Sequence, residues 1–322
     1  MAEYAGAETC DIAHAVAWVA ADWGTSCLRV WAIAADGAVL AARATGQGMG
    51  VLSPEDFEPA LEASLEGWLL PGRTLPILAC GMVGSRQGWV EAPYLDLPSP
   101  PLVPGRLVEA PARSGRFAVR IMPGLRQVAP PDVLRGEETQ VAGLLAAEPD
   151  FEGVVCMPGT HSKWLRLRGS RIEAFRTCLT GEMFALLAEH SVLRHSVGQP
   201  EGVAQTSWDA PAFAAAVAEM LSDPGSLMAR LFSVRAEGLV AGQAPEAARA
   251  RLSGLLIGAE LAAMRDWWQG NSTVSVIAAQ PLGAAYGTAL SLAGVTAKLH
   301  DGAAMTLAGL AAARAATGDE TL

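Results

Sequence analysis

Residues 20–31 read AADWGTSCLRVW. An apolar run from Val16 to Ala21 stops at an acid, Asp22, and the chain turns apolar again at Leu28. Both flanks have the length and apolar content of buried strands, so Gly24-Thr25-Ser26 is the turn between them. Glycine lets a ligand approach the backbone closely, and turn amides with neighbouring hydroxyls present hydrogen-bond donors. Such a turn can cradle a phosphate. An acid at the strand end would then face an anion, which requires a cation between them. Mg²⁺ fits, because it takes one or two carboxylates together with phosphate oxygens. For a single copy the competing reading is an ordinary polar β-turn.

The pattern recurs. Residues 28–34 and 38–45 read as strands joined by an Asp36-Gly37 hairpin turn, followed by Gly46-Gln47-Gly48-Met49-Gly50 as a flexible loop. In the second half, Gly153 to Met157 reads as a strand, then come Gly159-Thr160-His161, a strand, a Gly169-Ser170 turn and the strand RIEAFRT. Thr180-Gly181-Glu182-Met183 follows and opens a helix. Gly24 and Gly159 stand 135 positions apart, which argues for a duplicated domain rather than a solenoid. Two copies in matching contexts favour the phosphate reading over a chance turn.

Elsewhere, Ser53-Pro54-Glu55-Asp56 predicts a helix start, with Phe57, Leu61, Leu65, Trp68 and Leu69 on its apolar face. Residues 76–81 predict a strand, and the Pro-rich stretch 93–111 an ordered surface loop. Helical periodicity covers 209–222, 227–239 and 245–268, a strand 273–278, and helices 283–292 and 303–313. Met264, Trp267 and Trp268 read as core or as an interface, which leaves room for a homodimer.

The 322 residues carry a formal net charge of −10, and 51% are hydrophobic. That supports a sizeable core and disfavours nucleic acid and anionic membrane as partners. No run reaches the roughly 18 apolar residues of a membrane span. Glu3 and Glu8 stand where a signal peptide would carry basic residues. The five cysteines form no CxxC pair, and the expectation is buried thiols in a cytoplasmic protein. Of the histidines 14, 161, 190, 195 and 300 only His190 and His195 are near one another in sequence, and five apart on a helix is a poor ligand pair, so they read as structural.

Taken together, the stretches ADWGTSCLRVW, GQGMGVLSPEDFEPAL, ACGMVGSRQGWVEAPY, PPDVLRGEETQVAGLL, MPGTHSKWL, FRTCLTGEMFALLAEHSVLRHS, RLFSVRAEGL and ARLSGLLIGAEL cover most of the chain. On them the chain resembles the 2-dehydro-3-deoxygalactonokinase family of the actin-like ATPase and sugar kinase superfamily. The resemblance implies an α/β protein of two related actin-like, ribonuclease H-like domains with a nucleotide and substrate cleft between them. Residues 1–147 would carry the sugar-acid site and 148–322 the nucleotide site. It also implies ATP-dependent phosphorylation, with Mg²⁺, of the terminal hydroxyl of a six-carbon 2-keto-3-deoxy sugar acid.

Residue by residue, Gly136-Glu137-Glu138 falls where related kinases keep a Gly-Asp pair with the catalytic aspartate, so Glu137 is the expected general base. Glu138 is expected to orient Mg²⁺ or cap the helix, whose N-terminus also favours acids for its dipole alone. Asp22 is expected to hold Mg²⁺. Gly24, Thr25 and Ser26 in the first turn, and Gly159, Thr160, His161 and Lys163 in the second, are the expected nucleotide contacts. In the 80–94 loop, Arg86 is expected to grip the substrate carboxylate, flanked by Gly84, Gln87 and an exposed Trp89. The chain departs from the family pattern at Ala278-Ala279-Gln280, where an adenine-side turn usually carries glycine. Two rival functions remain at this point. One is a kinase for another epimer such as 2-dehydro-3-deoxygluconate; the other is a non-catalytic, nucleotide-dependent switch of the same fold.

Overall fold

The structure, a computed structural model, describes residues 9–198 and 208–318. Glu3 and Glu8, on which the reading of the amino terminus rests, lie outside the described residues. The chain packs as two compact units. The first takes in the chain up to Phe151, Gly169–Glu173 and everything from Ala303 onward; the second takes in Glu152–Arg168 and Ala174–Gly302. The division expected at 147/148 leaves the last helix with the second half, whereas contacts place it in the first unit.

In chain order the elements are α1 (Thr9–Ala15), β1 (Val16–Trp23), β2 (Leu28–Ala34), β3 (Val39–Thr45), α2 (Phe57–Ser64), β4 (Leu75–Gly81), β5 (Tyr94–Asp96), β6 (Val108–Glu109), β7 (Phe117–Ile121), β8 (Gly124–Gln127), β9 (Asp132–Leu134) and α3 (Glu137–Ala147). They continue with β10 (Gly153–Met157), β11 (Ser162–Arg168), β12 (Arg171–Cys178), α4 (Thr180–His190), α5 (Arg194–Val197), α6 (Ala210–Ser222), α7 (Leu227–Val240), α8 (Pro245–Ala263), α9 (Arg265–Trp268), β13 (Thr273–Ala278), α10 (Gln280–Leu292), β14 (Thr296–Asp301) and α11 (Gly302–Thr317).

Among the described residues the first unit is built on a sheet of order β3-β2-β1-β4-β7-β6. Strands β1, β2 and β3 are antiparallel neighbours, while β4 runs parallel to β1 and β7 parallel to β4. The second unit has the order β12-β11-β10-β13-β14, with β11 antiparallel to β10, β13 parallel to β10 and β14 parallel to β13. The two units therefore repeat one topology: hairpin-joined strands, then a crossover that returns beside the first strand. This is the ribonuclease H-like arrangement of actin-like domains. A small third sheet, β5-β8-β9, forms around the Pro-rich region that reads as a loop in sequence.

Alternation along β1 decides what faces what. Val19, Ala21 and Trp23 pack with Phe57 and Leu61 of α2 on one face. Trp18 and Ala20 pack on the other with Leu78, Met122 and, from α11, Leu310 and Ala313. Asp22 continues that second face. Helix α2 starts at Phe57, later than expected, because both the amide and the hydroxyl of Ser53 bond to Asp56 and form a separate turn. Leu65, Trp68 and Leu69 are buried although they lie past the helix end.

In the second unit α8 stops at Ala263, and α9 carries Trp267 and Trp268 into the core. Their interface reading is thereby replaced by a core role. Gly254 and Gly258 let α6 close on α8: a Cβ on Gly254 would stand 2.5 Å from the Phe213 carbonyl oxygen. No described helix is long and apolar enough to cross a membrane.

Candidate active site

In the first unit, Gly24 to Cys27 close the β1–β2 hairpin, with Gly24 N–H donating to the Cys27 carbonyl at 2.9 Å. Thr25 and Ser26 are exposed, and their amides find no acceptor among the described residues. The 46–50 segment is not a free loop. Its Met49 and Gly50 amides donate to the carbonyls of Gly24 and Thr25 at 3.0 and 2.8 Å. The Trp23 indole donates to the Gln47 carbonyl at 2.9 Å. A Cβ on Gly48 would lie 2.3 Å from the Thr25 carbonyl oxygen, so only glycine fits there. The turn is thus clamped from one side, and its outward amides are left for a ligand.

Asp22, the penultimate residue of β1, pairs with Arg29 opposite it on β2. Burial raises its carboxyl pKa, Arg29 opposes that, and the charge of Glu137 raises it further. Glu137 and Glu138 open α3 after Gly136, whose φ of +106° suits glycine. Both acids cap backbone amides: Glu137 accepts from Arg135 N–H at 2.9 Å, and Glu138 accepts from Gly136 N–H at 2.7 Å. They differ in burial. Glu138 is fully buried, and burial, with the Glu137 charge second, lifts its pKa to about 7. Glu137 is half-buried. Beneath them the Cys80 thiol is pushed well up by burial, then by the charges of Asp22 and Glu138.

The described residues hold no group of three or more His, Cys, Asp or Glu arranged to bind a metal. Mg²⁺ needs no such cage, since it keeps several waters and takes one or two carboxylates. Asp22 is the carboxylate placed for such an ion, which would share it with the Arg29 guanidinium.

The 80–94 loop corrects part of the sequence expectation. Arg86 and Gln87 are exposed, and Arg86 lies 3.7 Å from Glu91. Trp89, expected to be exposed, is buried and packs on Trp23 and stacks with Phe57. Gly84 is also buried; a Cβ there would meet Ile121, Arg135 and Ala92 within 3.1 Å. These two residues shape the loop from inside. Sequence reasoning missed Arg135, whose guanidinium donates to the Ala92 carbonyl at 2.8 Å and lies over the Tyr94 ring. It ties the loop to the segment carrying the acids. Its signal was a cation directly before Gly-Glu-Glu.

In the second unit the equivalent turn has the same build. Glu182 N–H donates to the Thr160 carbonyl at 2.9 Å, and a Cβ on Gly181 would lie 2.2 Å from the Gly159 carbonyl oxygen. Thr160 and His161 are exposed, and His161 pairs with Glu182. Lys163 is buried, its ammonium donating to the His161 carbonyl at 3.3 Å. Ser162 and Trp164 face inward onto Tyr286 and Glu260. Ala278 and Ala279 lead directly into α10, with Ala279 as its N-cap. Among the described residues Cys27, Cys80, Cys156 and Cys178 are free thiols, and Cys80 and Cys156 are buried.

One topology used twice, each copy with a glycine-clamped turn after its first strand, defines the class: an actin-like α/β protein. Comparison with known proteins narrows it. The family model of 2-keto-3-deoxy-galactonokinase matches residues 22–313. A relative named "Probable 2-dehydro-3-deoxygalactonokinase DgoK1", from Rhizobium meliloti (strain 1021), is 41% identical over 92% of this chain and 96% of its own length. The 2-dehydro-3-deoxygalactonokinase of Escherichia coli (strain K12) is 34% identical over 88% of this chain and 93% of its own length. A crystal structure of a "putative 2-dehydro-3-deoxygalactonokinase protein" from Sinorhizobium meliloti is 42% identical, with a TM-score of 0.83 over 92% of this chain and 98% of that one. The chain belongs to the 2-keto-3-deoxy-galactonokinase family and is a phosphotransferase enzyme.

Proposed function

We propose that the protein transfers the terminal phosphoryl group of ATP to the 6-hydroxyl of 2-dehydro-3-deoxy-D-galactonate, in galactonate catabolism. The observation that supports this most is the placement of Asp22 and Glu137. Asp22 stands at the end of the strand that feeds the Thr25-Ser26 turn, and Glu137, the first residue of α3, is close enough for its charge to act on it.

Phosphoryl transfer asks a protein mainly for positioning and charge stabilisation. The free amides of Thr25 and Ser26 donate to phosphate oxygens. Asp22, with Glu137 beside it, would hold Mg²⁺ through its waters; when bound, the ion neutralises charge on the phosphates. Glu137 orients the acceptor hydroxyl and takes its proton, which a fully buried Glu138 is not placed to do. Glu138 instead fixes the N-terminal turn of α3. Arg86 binds the substrate carboxylate; its exposed pairing with Glu91 is weak enough to be exchanged for a bidentate one. In the second unit, Gly159, Thr160, His161 and Lys163 serve the nucleotide phosphates.

The test is ADP release coupled to a reporter, run on 2-dehydro-3-deoxygalactonate and its C4 epimer 2-dehydro-3-deoxygluconate. A kcat/KM at least ten times higher for the galactonate supports the assignment. Preference for the gluconate moves the substrate to the other epimer. ADP release independent of any sugar acid would leave a nucleotide-driven switch.

A further inference from the structure

Glu260 is an acid inside an apolar stretch of α8 and is 4% exposed. Such a group is costly to bury unless its oxygens are satisfied. Three donors from three other elements satisfy them. The Trp164 indole of β11 donates to one oxygen at 2.7 Å. The Tyr286 hydroxyl of α10 and the Thr180 hydroxyl, at the start of α4, donate to the other. Tyr286 also shares a hydrogen bond of 2.9 Å with Ser162.

The choice of elements is informative. Strand β11 is the strand that leaves the Gly159-Thr160-His161 turn. Helix α4 begins with Thr180, and the next two residues clamp that turn: Gly181 by close packing and Glu182 through its amide. Helix α10 follows the Ala278-Ala279 segment at the end of β13. The strand that leaves the nucleotide turn and the helix that clamps it are thus tied, together with α10, to one carboxylate.

We infer that Glu260 is the positioning residue of the nucleotide turn: through Thr180, Trp164 and Tyr286 it sets where the Gly159–His161 backbone stands for the ATP phosphates. This rests on the reading of the second unit as the nucleotide site. A carboxylate suits the role because it accepts from all three donors at once, and charged hydrogen bonds are the stronger ones. An amide or hydroxyl at this position cannot accept as many.

Thr180→Val tests it, since the change is nearly isosteric and leaves Glu260 with two donors. The expected result is a roughly tenfold rise in KM for ATP, the order of effect produced when a binding group is slightly misplaced by a change away from the ligand. The KM for the sugar acid should change less than twofold, and Thr180→Ser should restore the parent value. Glu260→Gln should act in the same direction. A purely structural role would instead lower Tm and leave the KM for ATP unmoved in Thr180→Val, which overturns the inference. A control separates the two layers. Thr160→Glu places a negative charge on the exposed turn itself. If it weakens ATP while Thr180→Val does not, the nucleotide site stands and the positioning role of Glu260 falls. If Thr160→Glu leaves the KM for ATP unchanged, the nucleotide reading fails and carries the inference down with it.

Discussion

Glu137 and Glu138 are adjacent, chemically identical in side chain, and placed differently. One is half-buried and near Asp22; the other is sealed in and accepts two donors. Glu137→Gln should lower kcat by about 10²–10⁴-fold with little change in KM, as expected when a general base is lost. Glu138→Gln should cost less turnover and show itself in stability instead. The Glu138 carboxyl is raised to about 7, whereas in an unfolded chain it titrates near about 4.3. Between those values the folded chain keeps a proton that the unfolded chain has released. Its contribution is therefore complete at low pH and is lost as pH rises through about 7. The Tm of Glu138→Gln relative to the parent should climb between about pH 5 and pH 8; a flat difference refutes the raised pKa. Arg86→Ala should raise the KM for the sugar acid strongly and spare that for ATP, and an effect confined to ATP would move the loop to the nucleotide. The sequence could place Gly-Glu-Glu at a helix start, but spacing alone cannot tell which acid turns inward. The burial of Trp89 is hidden from the sequence for a related reason. A tryptophan in a Gly-rich, polar stretch reads as exposed, and only the partners Trp23 and Phe57, far away in sequence, reveal it as core.

At the scale of elements, the two turns were legible because glycine, hydroxyls and the flanking apolar runs are all local signals. What clamps each turn was not. Gly48 lies 24 residues after Gly24, and its closeness to the Thr25 carbonyl exists only once β3 has returned beside β2. Gly48→Ala should therefore cost about 1–3 kcal/mol of stability from forced backbone movement, read as a lower denaturation midpoint, with a raised KM for ATP. Unchanged values in both would mean the 46–50 segment has slack. Asp22→Asn keeps the shape of the strand end and should cut kcat by about 10²-fold or more, since it removes charge where phosphoryl transfer needs it. Turnover near that of the parent would remove Asp22 from the site. Strand β14 has no sequence signal: its residues are all exposed or half-buried, so no apolar period marks it. In sequence α8 reads as running to 268 because Met264 does not interrupt an apolar period, although the helix ends one residue before it.

At the scale of the whole chain, the duplication was visible but the placement of α11 was not. An Ala-rich amphipathic helix says that it packs, not where. Its site is set by small residues meeting at backbone distance. A Cβ on Gly143 of α3 would fall 2.0 Å from the Met305 carbonyl oxygen, and one on Gly309 1.8 Å from that of Thr139. Gln140 donates to the Thr306 hydroxyl at 3.2 Å. Leu310 is fully buried in the first unit, so Leu310→Ala should cost about 2–5 kcal/mol. Hydrogen exchange should register the loss in β1, β4 and α3 rather than in α6 and α8; the reverse pattern would place the helix with the second unit.

The same helix has a consequence for how the chain comes into being. Synthesis runs from the amino end, so a ribosome that has delivered residues up to Gly302 has supplied every residue of the second unit. The first unit, although begun earlier, still lacks the cover for Trp18, Leu78 and Met122. Cover for one apolar face of the first unit's sheet, and for the α3 backbone behind the two glutamates, is thus translated after every residue of the second unit.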